Sequence, residues 1–253
     1  MKRSEYSQII KLAKRSLEEY QNWGEDEIYK EPVVKTPSEK TSVKEVKENG
    51  FTVKKTGPAQ YLEALRKETD KCRKCLLGAS RLNCVFGTGA ANAELIFVGE
   101  GPGFDEDHKG EPFIGRAGKL LTKIIEAMGY TRETVYIANI VKCHPMKDPS
   151  DPELRENDRP PAPEEMETCR PYLDRQLEII QPKIIVTLGS SSTKGLLNSE
   201  ESISTIRGTV KEYKGIKLMP TYHPAALLRN MSLKKFVWDD MKKVMKFLKT
   251  GEI

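Results

Sequence analysis

Four short apolar segments, each followed by polar residues and then by a helical pattern, constrain the fold more than any other feature of this sequence. They are typical of buried strands in length and flanking turns, and they span Glu94–Val98, Val135–Ile140, Ile184–Leu188 and Ile216–Thr221. Segments with apolar residues at helical spacing lie between or after these strands, at Ala117–Met128, Pro163–Ile180, Thr193–Leu197 and Leu233–Leu248. This alternation predicts an α/β fold, with a mainly parallel sheet covered by helices on both faces.

The first 57 residues have a different pattern. Apolar residues between Glu5 and Tyr20 recur at helical spacing, but residues 25–57 are rich in Lys and Glu and contain Pro32 and Pro37. Such a segment cannot bury enough apolar surface to offset the loss of chain entropy. We therefore predict a helix and a charged linker over residues 1–57 and a folded domain over residues 58–253. The extension is either a segment that binds another protein or simply solvated chain.

Composition excludes several classes of protein. The sequence contains no run of about 18 apolar residues that would predict a membrane span. Its N-terminus has no apolar signal core, which favours a cytoplasmic protein. Five cysteines are an odd number and too few for a disulfide scaffold. The formal net charge of +5 permits a polyanionic partner such as nucleic acid but does not require one, and on charge alone a solvated surface of mixed charge is the favoured interpretation.

Four of the cysteines form a candidate metal site. Cys72 and Cys75 make a C-x-x-C pair, and Cys143 and Cys169 follow downstream. Four soft ligands are enough for a zinc ion or a [4Fe–4S] cluster, and their spacing does not decide between the two. Four unrelated thiols are the remaining interpretation. Cys84, which precedes two apolar residues, is predicted to be a small core residue.

Polar residues follow the predicted strands at the edge of the sheet where ligands bind in such folds. The first strand leads into the glycine-rich and acidic segment that starts at Gly99, the second contains Asn139, and the fourth leads into His223. The glycine-rich segment matches neither a phosphate-binding Walker loop nor a dinucleotide fingerprint. The same residues also have an interpretation that involves no ligand. In it the acids are simply exposed, Phe113 is a core aromatic residue and His223 is a structural histidine.

Taken together and in this order, the motifs resemble those of family 4 uracil-DNA glycosylases, the iron–sulfur members of their superfamily. The resemblance covers about residues 58–249. It lies in the C-x-x-C pair, GEGPGFDED from Gly99, GEPFIGRAGKLL from Gly110, YIANIVKC from Tyr136, the later Cys169, and HPAALLRN from His223. It implies an α/β/α sandwich on a central four-stranded parallel sheet and a [4Fe–4S] cluster held by Cys72, Cys75, Cys143 and Cys169.

The resemblance also implies roles for individual residues. Phe113 would stack on a uracil flipped out of DNA, the Asn139 amide would bond to its edge, and Glu106 would exclude a methyl group at C5. The backbone of Gly101 would line the same pocket. His223 would donate to O2 of the departing base, and Glu100 would orient the attacking water. The DNA contacts would be a wedge formed by Leu227 or Leu228 and a phosphate contact from Arg229.

The implied protein is a cytoplasmic, monomeric DNA-repair enzyme that removes uracil from single- or double-stranded DNA and leaves an abasic site. One alternative is a non-catalytic iron–sulfur accessory protein that binds DNA, and another is a zinc-stabilised nucleotide-processing enzyme. The sequence departs from the family in the long acidic, Pro-rich segment between Cys143 and Cys169, which we interpret as a loop insertion.

Overall fold

The computed structural model describes residues 57–252, so the predicted helix and linker of the N-terminal extension lie outside the described residues. The strands of its sheet are β1 (Thr88–Gly89), β2 (Leu95–Gly99), β3 (Tyr136–Asn139), β4 (Ile184–Leu188), β5 (Lys211–Tyr213) and β6 (Ile216–Thr221). Their order across the sheet is β1-β3-β2-β4-β6-β5. The two helices nearest the start of the described chain are α1 (Pro58–Asp70) and α2 (Leu77–Ser80).

The four central strands are parallel, which confirms the strands predicted from the apolar segments. Their observed bounds differ from the predicted ones by no more than one residue at either end. The short strands β1 and β5 pair antiparallel at the two edges of the sheet and were not predicted. With two and three residues respectively, they are too short to show an alternating pattern.

The remaining helices cover both faces of the sheet. They are α3 (Phe104–Lys109), α4 (Arg116–Ala127), α5 (Pro163–Ile180), α6 (Ser190–Leu197), α7 (Ile203–Ile206), α8 (Pro224–Arg229) and α9 (Lys234–Thr250), with a 3₁₀ turn at Met231–Leu233. Ile96 and Val98 of β2 face a core that includes α1 and α5. Leu95 and Phe97 face the opposite core, with α4 and α9. The predicted three-layer arrangement is therefore confirmed.

Strand register brings the predicted site residues to one edge of the sheet. Gly99, the last residue of β2, pairs with Asn139, the last residue of β3. Leu188 and Thr221, the last residues of β4 and β6, pair with each other; Gly189 follows Leu188 directly, and His223 lies two residues after Thr221. Within residues 57–252, no helix combines the length and the apolar character needed for a membrane span.

Candidate active site

A cleft of about 380 Å³ opens at the carboxyl ends of the central strands. This volume falls within the range of about 300–1,000 Å³ that is typical of small-ligand sites. The cleft brings together all six residues that the sequence analysis assigned to the pocket: Glu100, Gly101, Glu106, Phe113, Asn139 and His223. Residues of the predicted insertion also line it, namely Asp158, Arg159, Pro160 and Pro161.

Two buried oxygen atoms in the cleft lack hydrogen-bond partners. They are Oδ1 of Asn139 and Oε1 of Glu100, and Asn139 itself is only 1% exposed. Buried polar atoms in folded proteins are nearly always hydrogen-bonded, so an unpaired acceptor in a cleft indicates the place of a ligand. The cleft therefore offers a hydrogen-bonding group at the end of β3 and another directly after β2.

The ring of Phe113 forms one wall of the cleft, and several contacts fix its backbone. Phe113 has φ of 54°, a conformation that is uncommon for a residue with a side chain. Arg132 donates to the carbonyl oxygens of Pro112 and Phe113 at 2.7 and 3.0 Å. The carboxylate of Glu106 accepts from the backbone N–H groups of Ile114 and Gly115 at 3.0 and 3.1 Å. These contacts hold the loop in a strained conformation that directs the ring into the site.

His223 presents a neutral imidazole with one defined tautomer. Its Nδ1 accepts a hydrogen bond from the backbone N–H of Ala225 at 3.1 Å, so the ring proton lies on Nε2. Burial, together with the positive charge of Arg229, lowers the pKa of His223 to about 4. Its ring centroid lies 5.7 Å from that of Phe113. At neutral pH the side chain is therefore an uncharged hydrogen-bond donor beside the aromatic wall.

Glu100 is one of three carboxylate residues that line the cleft, with Glu106 and Asp158. Burial raises its pKa, and a hydrogen bond from Ser191 at the start of α6 partly opposes that rise. A carboxylate with one bonded and one free oxygen can accept a proton or orient a water molecule.

The three predicted DNA-contact residues of α8 are in different environments. Leu227 is 1% exposed and packs in the core beneath α8, whereas Leu228 is 40% exposed and Arg229 is also exposed. Of the two candidate wedges, only Leu228 is therefore accessible to DNA. Burial and the neighbouring charge of Lys123 lower the pKa of Lys234, so these cations lie close together near the start of α9.

The four predicted cysteine ligands line one small cavity between α1, α5 and the segment after β3. Arg81 donates to the sulfur of Cys143 at 3.0 Å, and the backbone N–H of Lys142 donates to that of Cys169 at 3.3 Å. Burial raises the pKa of Cys143 to about 12, although Arg81 opposes the rise. Cys84 is half-buried nearby, where burial raises its pKa to about 12.

These thiols fit the donor set of an iron–sulfur cluster. In the described part of the chain, no three His, Cys, Asp or Glu side chains are grouped around a point where a single metal ion would bind. A [4Fe–4S] cluster takes one thiolate at each of four irons, so it needs four sulfurs around a cavity rather than around a point. The wide spacing between Cys143 and Cys169 does not separate them, because α5 brings Cys169 back to the same cavity.

Sequence reasoning missed a cluster of one imidazole and two carboxylates, only partly buried, that ties the insertion to the site. His144 lies between Asp158, at 2.7 Å from Nε2, and the fully buried Asp107, at 3.6 Å from Nδ1. Although burial opposes its charge, these two carboxylates raise the pKa of His144 to about 9. No pattern in the sequence connects these residues. Arg132 was missed for the same reason, since its partners lie about 20 positions earlier in the chain.

Replacing Gly99 with Ala should displace the side chains of Phe113 and Asn139, which line the cleft. A Cβ atom there would lie only 2.5 Å from Cζ of Phe113, and even closer to Oδ1 of Asn139. We expect a loss of any activity in the cleft by about a hundredfold, since a shift near 1 Å has that effect, and a destabilisation of about 1–3 kcal/mol. Gly57→Ala is the control, because its Cβ would meet nothing within 4 Å. Equal activity of the two variants in steady-state assays would contradict the described cleft.

Comparison with known proteins gives a consistent result. The family model of the uracil DNA glycosylase superfamily matches residues 86–243. The chain is 46% identical to the type-4 uracil-DNA glycosylase of Sulfurisphaera tokodaii, over 72% of this chain and 83% of that protein. It is 43% identical to the type-4 enzyme of Archaeoglobus fulgidus, over 73% of this chain and 92% of that protein. For the type-4 enzyme of Thermotoga maritima the identity is 40%, over 75% and 96% of the two chains.

Proposed function

Because the chain belongs to the uracil-DNA glycosylase superfamily, and within it to the type-4 group, we propose that it removes uracil from DNA by hydrolysing the N-glycosidic bond. The observation that carries this proposal is the unpaired carboxamide oxygen of Asn139, buried beside the ring of Phe113 and the imidazole of His223. The proposal includes a cytoplasmic monomer that acts on single- or double-stranded DNA and leaves an abasic site. Any role of the N-terminal extension lies outside the described residues.

Recognition of the base would rely on Asn139 and Phe113. A uracil must leave the DNA stack to enter the cleft, and the Phe113 ring offers a flat surface on which it can stack. The Asn139 carboxamide combines one acceptor with donors, which match N3–H and O4 of uracil. Cytosine presents the opposite pattern at these atoms. Gly101 would line the pocket with its backbone, and Glu106 would restrict space near C5 while it holds the Phe113 loop.

His223 would stabilise the departing base. Breaking the N-glycosidic bond leaves negative charge on uracil and positive charge on the sugar. A neutral imidazole that carries its proton on Nε2 can donate to O2 of the base without itself losing a proton, in the manner of an oxyanion hole. Glu100, with an unpaired buried oxygen, would orient the attacking water and favour the cationic sugar.

Leu228 and Arg229 would contact the DNA itself. An exposed leucine at the end of a short helix can fill the space that a flipped base leaves in the stack. Arg229 would bind a phosphate beside it. Leu227, packed in the core, would support α8 from below.

Cys72, Cys75, Cys143 and Cys169 would hold a [4Fe–4S] cluster, supported by the shared cavity and by the soft character of the four donors. When bound, the group would supply a structural cross-link between the segment after α1, the segment after β3 and helix α5. The hydrolysis described above needs no electron transfer, and each of its steps is assigned to protein side chains.

Excision from oligonucleotides that carry one U, T or C, followed by alkaline cleavage, tests the proposed function directly. We expect cleavage only at uracil, because the Asn139 amide does not match the edge of cytosine and Glu106 restricts space for the 5-methyl group of thymine. Binding to uracil-containing DNA without any cleavage, by protein with a full complement of iron and sulfide, would instead support a non-catalytic accessory protein.

Activity should fall on the acid side through the titration of Glu100. Because burial raises its pKa, the ionised form is lost at a higher pH than for an exposed glutamate, whose pKa is about 4.3. We expect kcat/KM to decrease below this raised pKa, and Glu100→Gln to remove that limb while lowering the rate by about a hundredfold or more. Because the pKa of His223 is lowered to about 4, its protonation would cause a second decrease in kcat/KM only near that pH. An unchanged acid limb in Glu100→Gln would assign it to another group and contradict the proposed role of Glu100.

A further inference from the structure

Lys142 has an unusual position between the cysteine cavity and the cleft. It lies three residues after Asn139 and directly before Cys143, and its side chain is fully buried. Its Nζ donates to the backbone oxygen of Asn139 at 2.7 Å and to Oε1 of Gln176 at 2.7 Å. One side chain therefore contacts both the strand end that carries the base-reading amide and a helix that holds a cysteine ligand.

The Lys142 ammonium donates to two neutral oxygens. No ion pair among residues 57–252 includes Lys142. A buried ammonium without an anionic partner is costly, because neutral dipoles replace only part of its hydration. Lys142 lines the same small cavity as the four cysteines, and its backbone N–H donates to the sulfur of Cys169. Thiolates that ligate a cluster would supply the negative charge that the surrounding protein lacks.

We propose that Lys142 is the buried counter-cation of the cysteine-ligated cluster and that it positions Asn139 for uracil recognition, an inference that rests on the function proposed above. Its backbone N–H donates to Cys169 at 3.3 Å, while its ammonium holds the carbonyl oxygen of Asn139. Lys142 thus contacts both the cysteine cavity and the strand end that carries Asn139. It is a positioning residue, since it touches the backbone of Asn139 rather than the substrate.

Gln176 fixes the direction of this connection. Its Nε2 donates to the carbonyl oxygen of Phe86 and to the hydroxyl of Tyr136, both at 3.0 Å. With Nε2 bound in this way, Oε1 faces Lys142. The ammonium is held between β3 and α5 by groups that are themselves anchored.

Arg81 provides a matched control. It also donates to a cluster ligand, Cys143, but its other bonds go to the carbonyl oxygens of Thr69 and Asp70 at the end of α1. Removing Arg81 therefore takes a cation away from the cysteine cavity without disturbing Asn139.

The experiment compares Lys142→Met and Arg81→Met in the full chain purified with its cluster. The half-life of the visible absorbance in excess iron chelator is one readout, and KM for a uracil oligonucleotide at equal iron content is the other. We expect both variants to lose absorbance about ten- to a hundredfold faster. We expect only Lys142→Met to raise KM, with unchanged affinity for uracil-free DNA. A wild-type half-life for Lys142→Met, or equal KM values for the two variants, would overturn the proposal.

Gln176→Glu keeps the test decisive if Lys142→Met does not fold. A glutamate there has the size of the original side chain and would place a carboxylate beside the ammonium, in competition with the cluster. We expect faster loss of absorbance in chelator, and an unchanged half-life would contradict the counter-cation role. Wild-type protein that holds its iron and sulfide but excises no uracil would refute the proposed function, while the half-lives would still test the counter-cation role of Lys142.

Discussion

Replacing Asn139 with Ala should lower kcat/KM for uracil excision by about a thousandfold. Two buried hydrogen bonds to the base would be lost, each with a cost of about 1–3 kcal/mol, and about 4 kcal/mol in total corresponds to that factor. Asn139 is 1% exposed within the cleft. In the proposed role it touches the base and not a phosphate, so affinity for uracil-free DNA should stay the same. Single-turnover excision and fluorescence anisotropy with a thymine oligonucleotide measure the two quantities.

Asn83→Ala is the matched control for this change. Asn83 is an exposed asparagine outside the cleft whose amide donates to the carbonyl oxygens of Asp107 and His108. It should retain near wild-type excision. If Asn139→Ala lost affinity for uracil-free DNA as strongly as it lost excision, the residue would contact the DNA backbone or support the fold, and its proposed role in reading the base would be wrong.

Replacing His223 with Ala should lower kcat by about a hundred- to a thousandfold, with a smaller change in KM. This is the usual effect of removing one donor from an oxyanion site, because the hydrogen bond strengthens as charge develops on the departing base. The pKa of His223 is lowered to about 4, so the imidazole stays neutral from pH 5 to 8. The rate of the wild-type protein should therefore show no histidine titration in that range.

His108→Ala separates this effect from the general loss of an imidazole. His108 bonds to the carbonyl oxygen of Phe104 and to Glu153, and it does not line the cleft. Its replacement should leave kcat close to the wild-type value. Two results would contradict a neutral donor at His223. One is a wild-type kcat in His223→Ala, and the other is a decrease in wild-type activity near pH 6.5 that disappears in His223→Ala.

The strands could be predicted because each central strand is buried on both faces. Ile184–Leu188 is an unbroken apolar run apart from one threonine, and its predicted bounds are the observed ones. Edge strands lack this signal, since β5 has only half-buried and exposed residues and its pairing depends on β6. The parallel arrangement was predictable from the alternation with helices, whereas the two antiparallel edges were not.

The cysteine cavity and the cleft show a similar division. The motif residues are local in sequence, so their identity was accessible, and the fold brings all six pocket residues and all four cysteines to their two sites. The supporting contacts are not local. Arg132 holds the Phe113 loop from 19 or more positions away, and Lys142 joins Gln176 across 34 positions. Sequence patterns carry no information about partners at such separations.

The sequence alone determined the layered α/β fold, the order of its central strands along the chain, and the identity of the polar residues at the strand ends. These features follow from residue type and short-range periodicity, which any chain displays directly. Only the tertiary structure decided which of two adjacent leucines is exposed, which imidazole is neutral and which is held between carboxylates, and which lysine is buried beside the cysteines. These properties depend on burial and on groups from distant parts of the chain, which become neighbours only when the sheet and its helices are packed together.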